Sequence, residues 1–188
     1  MDNKDTQQNS ALIVVDMQND FIEGGALAVP GSLNVVKPVN KLIESYDNIV
    51  FTQDWHPSNH ESFKHTWPPH CIQGSFGSEI HSEISTTKAQ LILRKGYRQH
   101  IDSYSAFFEN DHITPTGLSS YLKEREIKNL ILCGLALDFC VGYSALDAVK
   151  CGFNASIILS ASKAIDMDSS LTTMLEKLKQ NNVELLLG

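Results

Sequence analysis

The sequence NLILCGLALDFCVGY, residues 129–143, predicts a buried strand, a tight turn and the start of a helix. Its first half is continuously apolar, which is typical of a strand buried on both faces of a parallel sheet. Gly134 marks the turn, and Cys140 lies just inside the helix that follows. Free backbone N–H groups and the helix dipole favour a thiolate there, and the same N–H groups can bind an oxyanion. This stretch can therefore supply a nucleophile together with its electrostatic support.

The rest of the chain alternates strands and helices around this stretch. Apolar, β-branched runs predict the strands, and apolar residues at helical spacing predict the helices between them. The predicted strands are residues 11–15, 48–53, 91–94, 129–134, 153–159 and 183–187, and the predicted helices are residues 32–46, 116–125, 138–150 and 169–180. This alternation predicts an α/β fold, a three-layer sandwich in which a mainly parallel six-stranded sheet has helices on both faces.

Two residues bear on the helix that is predicted over residues 32–46. Ser32 can cap its N-terminus, because a serine hydroxyl accepts a hydrogen bond from a free N–H group of the first turn. Pro38 lies inside the helix and has no backbone N–H group, which predicts a kink or a break at this position.

Length, composition and charge are those of an ordinary globular protein. We expect one domain, residues 11–188, after a polar N-terminal extension, residues 1–10. The net charge of −7 argues against nucleic acid or an anionic membrane as a partner. The N-terminus lacks the apolar core of a signal peptide, which favours the cytoplasm. The four cysteines form no C-x-x-C pair, and we expect them to be free thiols.

Three ionisable residues follow three of the predicted strands. Asp16 comes after the first strand, Lys95 after the third, and Cys140 after the fourth. Ligands of parallel sheets bind beyond the carboxyl ends of the strands, so these three residues can meet at one edge. Asp16 can then act as the base for the thiol, and Lys95 as the cation that favours a thiolate. Asp138 can oppose the thiolate, or it can cap the helix.

Each of these residues also has an ordinary structural interpretation. A strand-terminal aspartate often caps a turn, a lysine after a strand is often solvated, and free cysteine is among the most buried residue types. Taken alone, each residue favours that interpretation. Their occurrence together at one edge of a parallel sheet favours catalysis.

A second cluster begins at the end of the second predicted strand. Asp54 and His56 stand at positions i and i+2, which point the same way in extended backbone. His70 can return as a third ligand from the long irregular segment over residues 55–88, and His60 as a further one. Two imidazoles and one carboxylate suit Zn, Fe or Mn, with open positions for water or substrate. The alternative is a surface loop whose histidines hold no metal.

Aromatic side chains follow the same strand ends. Phe21, Trp67 and Tyr104 stand on loops that we expect at the active edge of the sheet, where they can sandwich a flat ring. The alternative is that they close the edge of the core.

Five stretches resemble the isochorismatase-like cysteine hydrolase family. They are VVDMQNDF at residues 14–21 with GGALAV at 24–29, TQDWHP at 52–57, WPPHC at 67–71, KG at 95–96 followed by DSYSAF at 102–107, and GLALDFCV at 134–141. The resemblance runs from about residue 11 to residue 183, almost the whole chain. The D-x-H motif and the tryptophan before Pro-Pro-His are similar to the nicotinamidases within that family. Leu137, where many relatives have threonine, and residues 98–100 depart from the family pattern.

The resemblance implies a catalytic triad of Asp16, Lys95 and Cys140. It also implies a cis peptide between Leu135 and Ala136, which would aim the N–H groups of Ala136 and Cys140 at the oxyanion.

The resemblance also implies a metal site and a substrate pocket. The ligands of one divalent ion, Zn, Fe or Mn, would be Asp54, His56 and His70, with Ser58 or His60 as a possible further ligand. The residues that would bind the substrate are Phe21, Leu27, Trp67 and Tyr104.

The implied activity is hydrolysis of nicotinamide to nicotinate and ammonia through a cysteine thioester, as in NAD salvage. The partner would be this small molecule, the chain would be a possible homo-oligomer, and pyrazinamide is a plausible further substrate. Two alternatives stay open: another amidohydrolase of the same superfamily, and a non-catalytic binding protein on the same fold.

Overall fold

The structure is a computed structural model and describes residues 9–188. Six strands alternate with five α-helices along this part of the chain. Four of these helices are the predicted ones, and the short helix inside the segment 55–88 was not predicted. The strands are β1 (Ser10–Val15), β2 (Ile49–Asp54), β3 (Leu91–Lys95), β4 (Asn129–Leu135), β5 (Asn154–Lys163) and β6 (Glu184–Leu186). The helices are α1 (Leu33–Ser45), α2 (Ser62–His65), α3 (Leu118–Glu124), α4 (Gly142–Lys150) and α5 (Ser170–Gln180).

The sheet has the strand order β3-β2-β1-β4-β5-β6, and all its neighbouring strands are parallel. The chain moves outward from β1 to β3, returns to place β4 beside β1, and then moves outward on the other side. The point where the direction reverses, between β1 and β4, is where ligands bind in open α/β sheets. Asp16 directly follows β1, and Cys140 lies five residues beyond β4, so both belong to this switch point.

Side chains of β1 alternate between two apolar cores, one on each face of the sheet. Ile13 and Val15 pack in the core that contains residues of α3, α4 and α5. Leu12 and Val14 pack in the core that contains residues of α1. The period of two along a strand produces this alternation, and helices therefore cover both faces. The predicted three-layer α/β fold is confirmed, and the sheet is entirely parallel.

Gly134 lets β4 approach β1 closely at the switch point. It has φ +115°, and a Cβ atom at this position would lie 2.1 Å from the carbonyl oxygen of Val15. Only glycine tolerates both the backbone conformation and the contact. Gly134 thus lies inside β4 rather than in the predicted turn, and it allows the close pairing of the two strands that precede Asp16 and Cys140.

Several local predictions need correction. Pro38 lies inside α1 and does not break it. Ser32 does not cap α1, because its Oγ accepts a hydrogen bond from the N–H group of Glu23 at 2.9 Å instead. The helix predicted from residue 138 opens with a π-helical turn, Leu137–Val141, before α4 begins.

The predicted N-terminal extension falls almost entirely outside the described residues, which begin at residue 9. β1 already starts at Ser10, the last residue assigned to that extension. All four cysteines are free thiols, as expected. Within residues 9–188, no helix has both the length and the apolar character needed to cross a membrane.

Candidate active site

Lys95 lies at the centre of a buried charge cluster. Its Nζ lies 2.8 Å from Asp16 Oδ2 and 3.3 Å from Cys140 Sγ, and it also forms an ion pair with Asp54 Oδ1. A further hydrogen bond goes to the carbonyl oxygen of Ser103 at 3.0 Å. Lys95 is only 1% exposed, so it is not a solvated loop lysine. Burial alone would lower the pKa of this amine, but the carboxylates of Asp16 and Asp54 raise it well above its usual range, so Lys95 is a fixed cation.

Asp16 is fully buried and is held in one orientation by Thr52. Thr52 Oγ1 donates to Asp16 Oδ1 at 2.5 Å and accepts the Asp16 N–H at 3.2 Å. Asp16 has φ +45°, a left-handed conformation that few non-glycine residues adopt. Burial raises the pKa of this carboxyl, although Lys95 opposes the rise. A carboxylate with a raised pKa is a stronger base than an exposed aspartate.

Cys140 lies in the π-helical turn, where its side chain faces the buried cluster. Its thiol belongs to a group with carboxylate oxygens of Asp16 and Asp54 in which the atoms all lie within 4.8 Å of one another. Burial raises the pKa of Cys140 well above its usual range; Lys95 opposes this rise, and both carboxylates add to it. The direction of this shift opposes the effect of the helix N-terminus and favours a thiol, which needs a base to release its proton.

The turn before Cys140 has the geometry that the resemblance implies. The peptide bond between Leu135 and Ala136 is cis. The carbonyl oxygen of Ala136 accepts the N–H groups of Phe139 and Val141 at 3.1 and 3.0 Å. Ala136 and Cys140 both line the same pocket. Both residues thus border the cavity in which an oxyanion would form.

Asp54, His56 and His70 form a group that suits a metal ion. Their candidate ligand atoms all lie within 4.8 Å of one another. Asp54 Oδ2 lies 3.6 Å from His56 Nε2 and 3.8 Å from His70 Nε2. His56 Nε2 is buried and has no hydrogen-bond partner. A buried imidazole nitrogen without a partner is costly, and a bound cation would satisfy it.

Backbone carbonyls fix the tautomers of both histidines. His56 Nδ1 lies 2.8 Å from the carbonyl oxygen of Gly96, and His70 Nδ1 lies 2.8 Å from that of Pro68. A carbonyl can only accept, so each Nδ1 carries a proton, and in the neutral ring Nε2 is then the nitrogen that has a lone pair for a ligand. Metal-binding histidines usually donate this second N–H group to a carboxylate, a backbone carbonyl or water. The residues present therefore fit a divalent cation.

Gly96 makes the approach of His56 possible. It has φ +63°, and a Cβ atom there would lie 2.5 Å from His56 Cε1. Any larger residue would push the imidazole away from the carbonyl that orients it.

The two possible further ligands behave differently from Asp54, His56 and His70. His60 is buried and stacks on His56 with ring centroids 4.3 Å apart, and its ligand atom lies near His56 and Asp102. However, its Nδ1 contacts Ser62 Oγ at 2.7 Å and its Nε2 contacts the Ile101 carbonyl oxygen at 3.2 Å. Both nitrogens are therefore engaged. Ser58 is exposed.

The four residues expected to bind substrate line one pocket with Cys140. They are Phe21, Leu27, Trp67 and Tyr104. The same pocket also borders Asp54 and His70. Trp67 Nε1 donates to Tyr104 Oη at 3.1 Å, which joins two of the walls. The Cys140 thiol, the aromatic walls and the candidate metal ligands Asp54 and His70 thus border one cavity. The sequence predicts this, because these residues follow strands whose carboxyl ends meet at one edge of the sheet.

Three further lining residues were not predicted: Asp102, Phe139 and Ile165. Phe139 packs edge-on against Trp67 and Tyr104, with centroid distances of 5.1 and 5.6 Å. Its position directly before Cys140 could have indicated this role. Nothing in the local sequence marks Ile165, because it reaches the pocket from the loop after β5.

Gln18 is a fourth residue that the sequence did not predict as part of the site. Its Nε2 donates to the Asp54 carbonyl oxygen at 2.8 Å, and its Oε1 accepts the Asp54 N–H at 2.8 Å. The buried amide therefore clamps both backbone groups of Asp54 from the loop after β1. The sequence feature that could have indicated this role is the position of Gln18, a polar residue two positions after Asp16.

Comparison with known proteins places the chain in a family. The isochorismatase domain model matches residues 10–187, so the chain belongs to the isochorismatase family, as its motifs predict. A nicotinamidase from Acinetobacter baylyi is 45% identical over 195 residues, which cover 94% of this chain and 91% of that protein.

Solved structures give the same result. A nicotinamidase and pyrazinamidase from Acinetobacter baumanii superposes with a TM-score of 0.93 at 46% identity, over 95% of this chain and 96% of that one. A pyrazinamidase from Pyrococcus horikoshii, solved in complex with zinc, superposes with a TM-score of 0.83 at 34% identity, over 95% of this chain and 98% of that one.

Proposed function

We propose that this protein hydrolyses nicotinamide to nicotinate and ammonia. The observation that carries the proposal is the buried cluster of Asp16, Lys95 and Cys140, which opens onto a pocket walled by aromatic side chains. A flat heteroaromatic carboxamide suits such walls. The relatives that cover almost the whole chain at about half identity are nicotinamidases, which supports this substrate.

We propose that Cys140 is the nucleophile and Asp16 the base. Asp16 takes the thiol proton, and the sulfur attacks the carboxamide carbon. The N–H groups of Ala136 and Cys140 stabilise the resulting oxyanion. Asp16 returns the proton to the amide nitrogen, so that ammonia leaves and a nicotinoyl thioester remains on Cys140. Asp16 then takes a proton from water, whose oxygen attacks the thioester carbon. The C–S bond breaks, Asp16 returns this proton to the Cys140 sulfur, and nicotinic acid leaves and ionises to nicotinate.

Lys95 supports both steps electrostatically. Its ammonium lies 3.3 Å from Cys140 Sγ and 2.8 Å from Asp16 Oδ2, so it stabilises whichever of the two carries the negative charge. A fixed buried cation needs little reorganisation during the reaction, which is the condition for effective electrostatic catalysis.

We propose that Asp54, His56 and His70 hold one divalent metal ion. Two imidazoles and one carboxylate suit Zn, Fe or Mn, and a relative 34% identical to this chain was solved with zinc. The ion would supply a Lewis acid that binds the pyridine nitrogen and orients the ring. Asp54 offers Oδ2 to this site while its Oδ1 pairs with Lys95, so it links the metal group to the catalytic cluster.

The experiment that tests the function is ammonia release from nicotinamide by the purified protein. We expect hydrolysis with kcat/KM in the usual enzymatic range, above about 10⁴ M⁻¹s⁻¹. If no ammonia is released while Cys140 still reacts with iodoacetamide, the nicotinamidase activity is excluded but a hydrolase site remains.

Replacing His70 by alanine is expected to weaken metal binding by at least about 100-fold and to raise KM for nicotinamide. The substitution removes one of the three donors and leaves the Asp54 pair with Lys95 in place. Metal content by elemental analysis and affinity by calorimetry on the metal-free protein measure the effect.

The matched control is His65→Ala. His65 lies at the end of α2 with a side chain that is 76% exposed, and we expect its removal to leave metal content and KM unchanged. Equal metal content in the His70→Ala variant and the wild type would contradict the proposed site.

A further inference from the structure

Asp138 is a buried carboxylate that the proposed mechanism does not use. It lies two residues before Cys140, in the π-helical turn. Its Oδ1 accepts the N–H of Ile165 at 3.0 Å, and its Oδ2 accepts the N–H of Asp166 at 2.7 Å and the hydroxyl of Ser170. The helix cap predicted from sequence is therefore wrong, because all three hydrogen-bond donors come from residues 165–170, after β5, and not from the helix that follows Asp138.

The segment that Asp138 holds connects β5 to α5, residues 164–169. Three of its residues have left-handed backbone: Asp166 at φ +56°, Asp168 at +52° and Ser169 at +65°. Non-glycine residues adopt this conformation only where surrounding contacts stabilise it. Asp166 has such a contact in its N–H bond to Asp138, and Asp168 and Ser169 lie between the two donors Asp166 and Ser170.

One residue of this segment, Ile165, lines the substrate pocket together with Phe139 and Cys140. Ile165 also packs against the apolar core on the α1 face of the sheet. Its backbone N–H is one of the groups that Asp138 binds. The position of this pocket wall therefore depends directly on a contact with the turn that carries the nucleophile.

We propose that Asp138 is a positioning residue that fixes Ile165 as a wall of the pocket and thereby sets the affinity for the aromatic ring of the substrate. The proposal rests on the proposed function for the identity of that substrate. Asp138 acts through Ile165 and makes no contact with the reacting atoms. Loss of its carboxylate therefore releases the wall and weakens substrate binding more than it slows the chemical steps.

Hydrogen exchange tests the contact without any substrate. In Asp138→Asn an amide group replaces one acceptor oxygen, so the N–H groups of Ile165 and Asp166 are expected to exchange at least about 10-fold faster than in the wild type. Ser170→Ala removes one of the three donors and is expected to give a smaller change in the same direction. The backbone N–H of Ile13, in β1, is the control, and an unchanged exchange rate there would show that the effect is local. Unchanged exchange at Ile165 and Asp166 would overturn the proposal.

Kinetics then tests the action through Ile165. We expect Asp138→Asn and Ile165→Ala each to raise KM for nicotinamide by about 10-fold, and Asp138→Asn to add less than about 3-fold when Ile165 is already alanine. If Asp138→Asn multiplies KM equally in both backgrounds, or lowers kcat alone, it acts through the Cys140 turn and the proposal is wrong. If Asp138→Asn does not fold, Ser170→Ala takes its place in the double-mutant cycle with Ile165→Ala.

The two measurements separate this proposal from the proposed function. If the wild type releases no ammonia from nicotinamide, the function fails, while hydrogen exchange still decides whether Asp138 holds the segment. If ammonia is released but the double-mutant cycle shows no coupling, only the role of Asp138 fails.

Discussion

Replacing Cys140 by alanine is expected to lower kcat for nicotinamide hydrolysis by at least about 10⁴-fold, because no thioester can form. Asp16, Lys95 and the metal ligands are unaffected by the change, so the affinity for nicotinamide should stay close to that of the wild type. Ammonia release measures kcat, and calorimetry measures binding. Loss of turnover with retained binding is the signature of a missing nucleophile.

The matched control is Cys151→Ala. Cys151 is a half-buried free thiol just after α4 and does not line the pocket, and we expect full activity from this variant. Mass spectrometry of wild-type protein quenched during turnover should show a nicotinoyl group on Cys140. Activity of Cys140→Ala within about 10-fold of the wild type would instead identify the thiol as a bystander and assign the hydrolysis to water.

The arrangement of Asp16, Lys95 and Cys140 could be predicted because it follows from topology. Each residue comes after a strand, and parallel strands bring their carboxyl ends to one edge. The pairing of Asp54 with His56 needed only the period of two along an extended chain. These inferences use local sequence and one general rule of sheet geometry, and the structure places these residues together as they require.

The direction of the Cys140 pKa shift could not be predicted in the same way. This pKa depends on how completely the surrounding chain excludes water, and that burial comes from segments far apart in sequence. The same limit applies to Asp138, whose partners lie about thirty residues later. A short polar side chain before a helix normally caps it, and only the tertiary structure shows that these donors come from elsewhere.

Replacing Lys95 by methionine is expected to destabilise the protein by about 3–5 kcal/mol and to lower kcat/KM by at least about 10³-fold. The ammonium pairs with both Asp16 and Asp54, and all three side chains are buried. Without it, the two carboxylates face each other buried, and one of them must bind a proton. A protonated Asp16 cannot accept the proton of the Cys140 thiol, so the substitution removes the base as well as the cation. Urea unfolding and ammonia release measure the two losses.

Lys64→Met is the matched control, because Lys64 pairs with Glu61 at 2.8 Å on the exposed surface of α2. An exposed pair contributes at most about 1 kcal/mol, so stability and activity should hardly change. Adding Asp16→Asn to Lys95→Met removes one of the two unpaired carboxylates and is expected to recover part of the stability, while activity stays lost. A Lys95→Met protein that is as stable as the wild type would contradict the buried charge cluster. If adding Asp16→Asn restored activity as well as stability, Asp16 would not be the base.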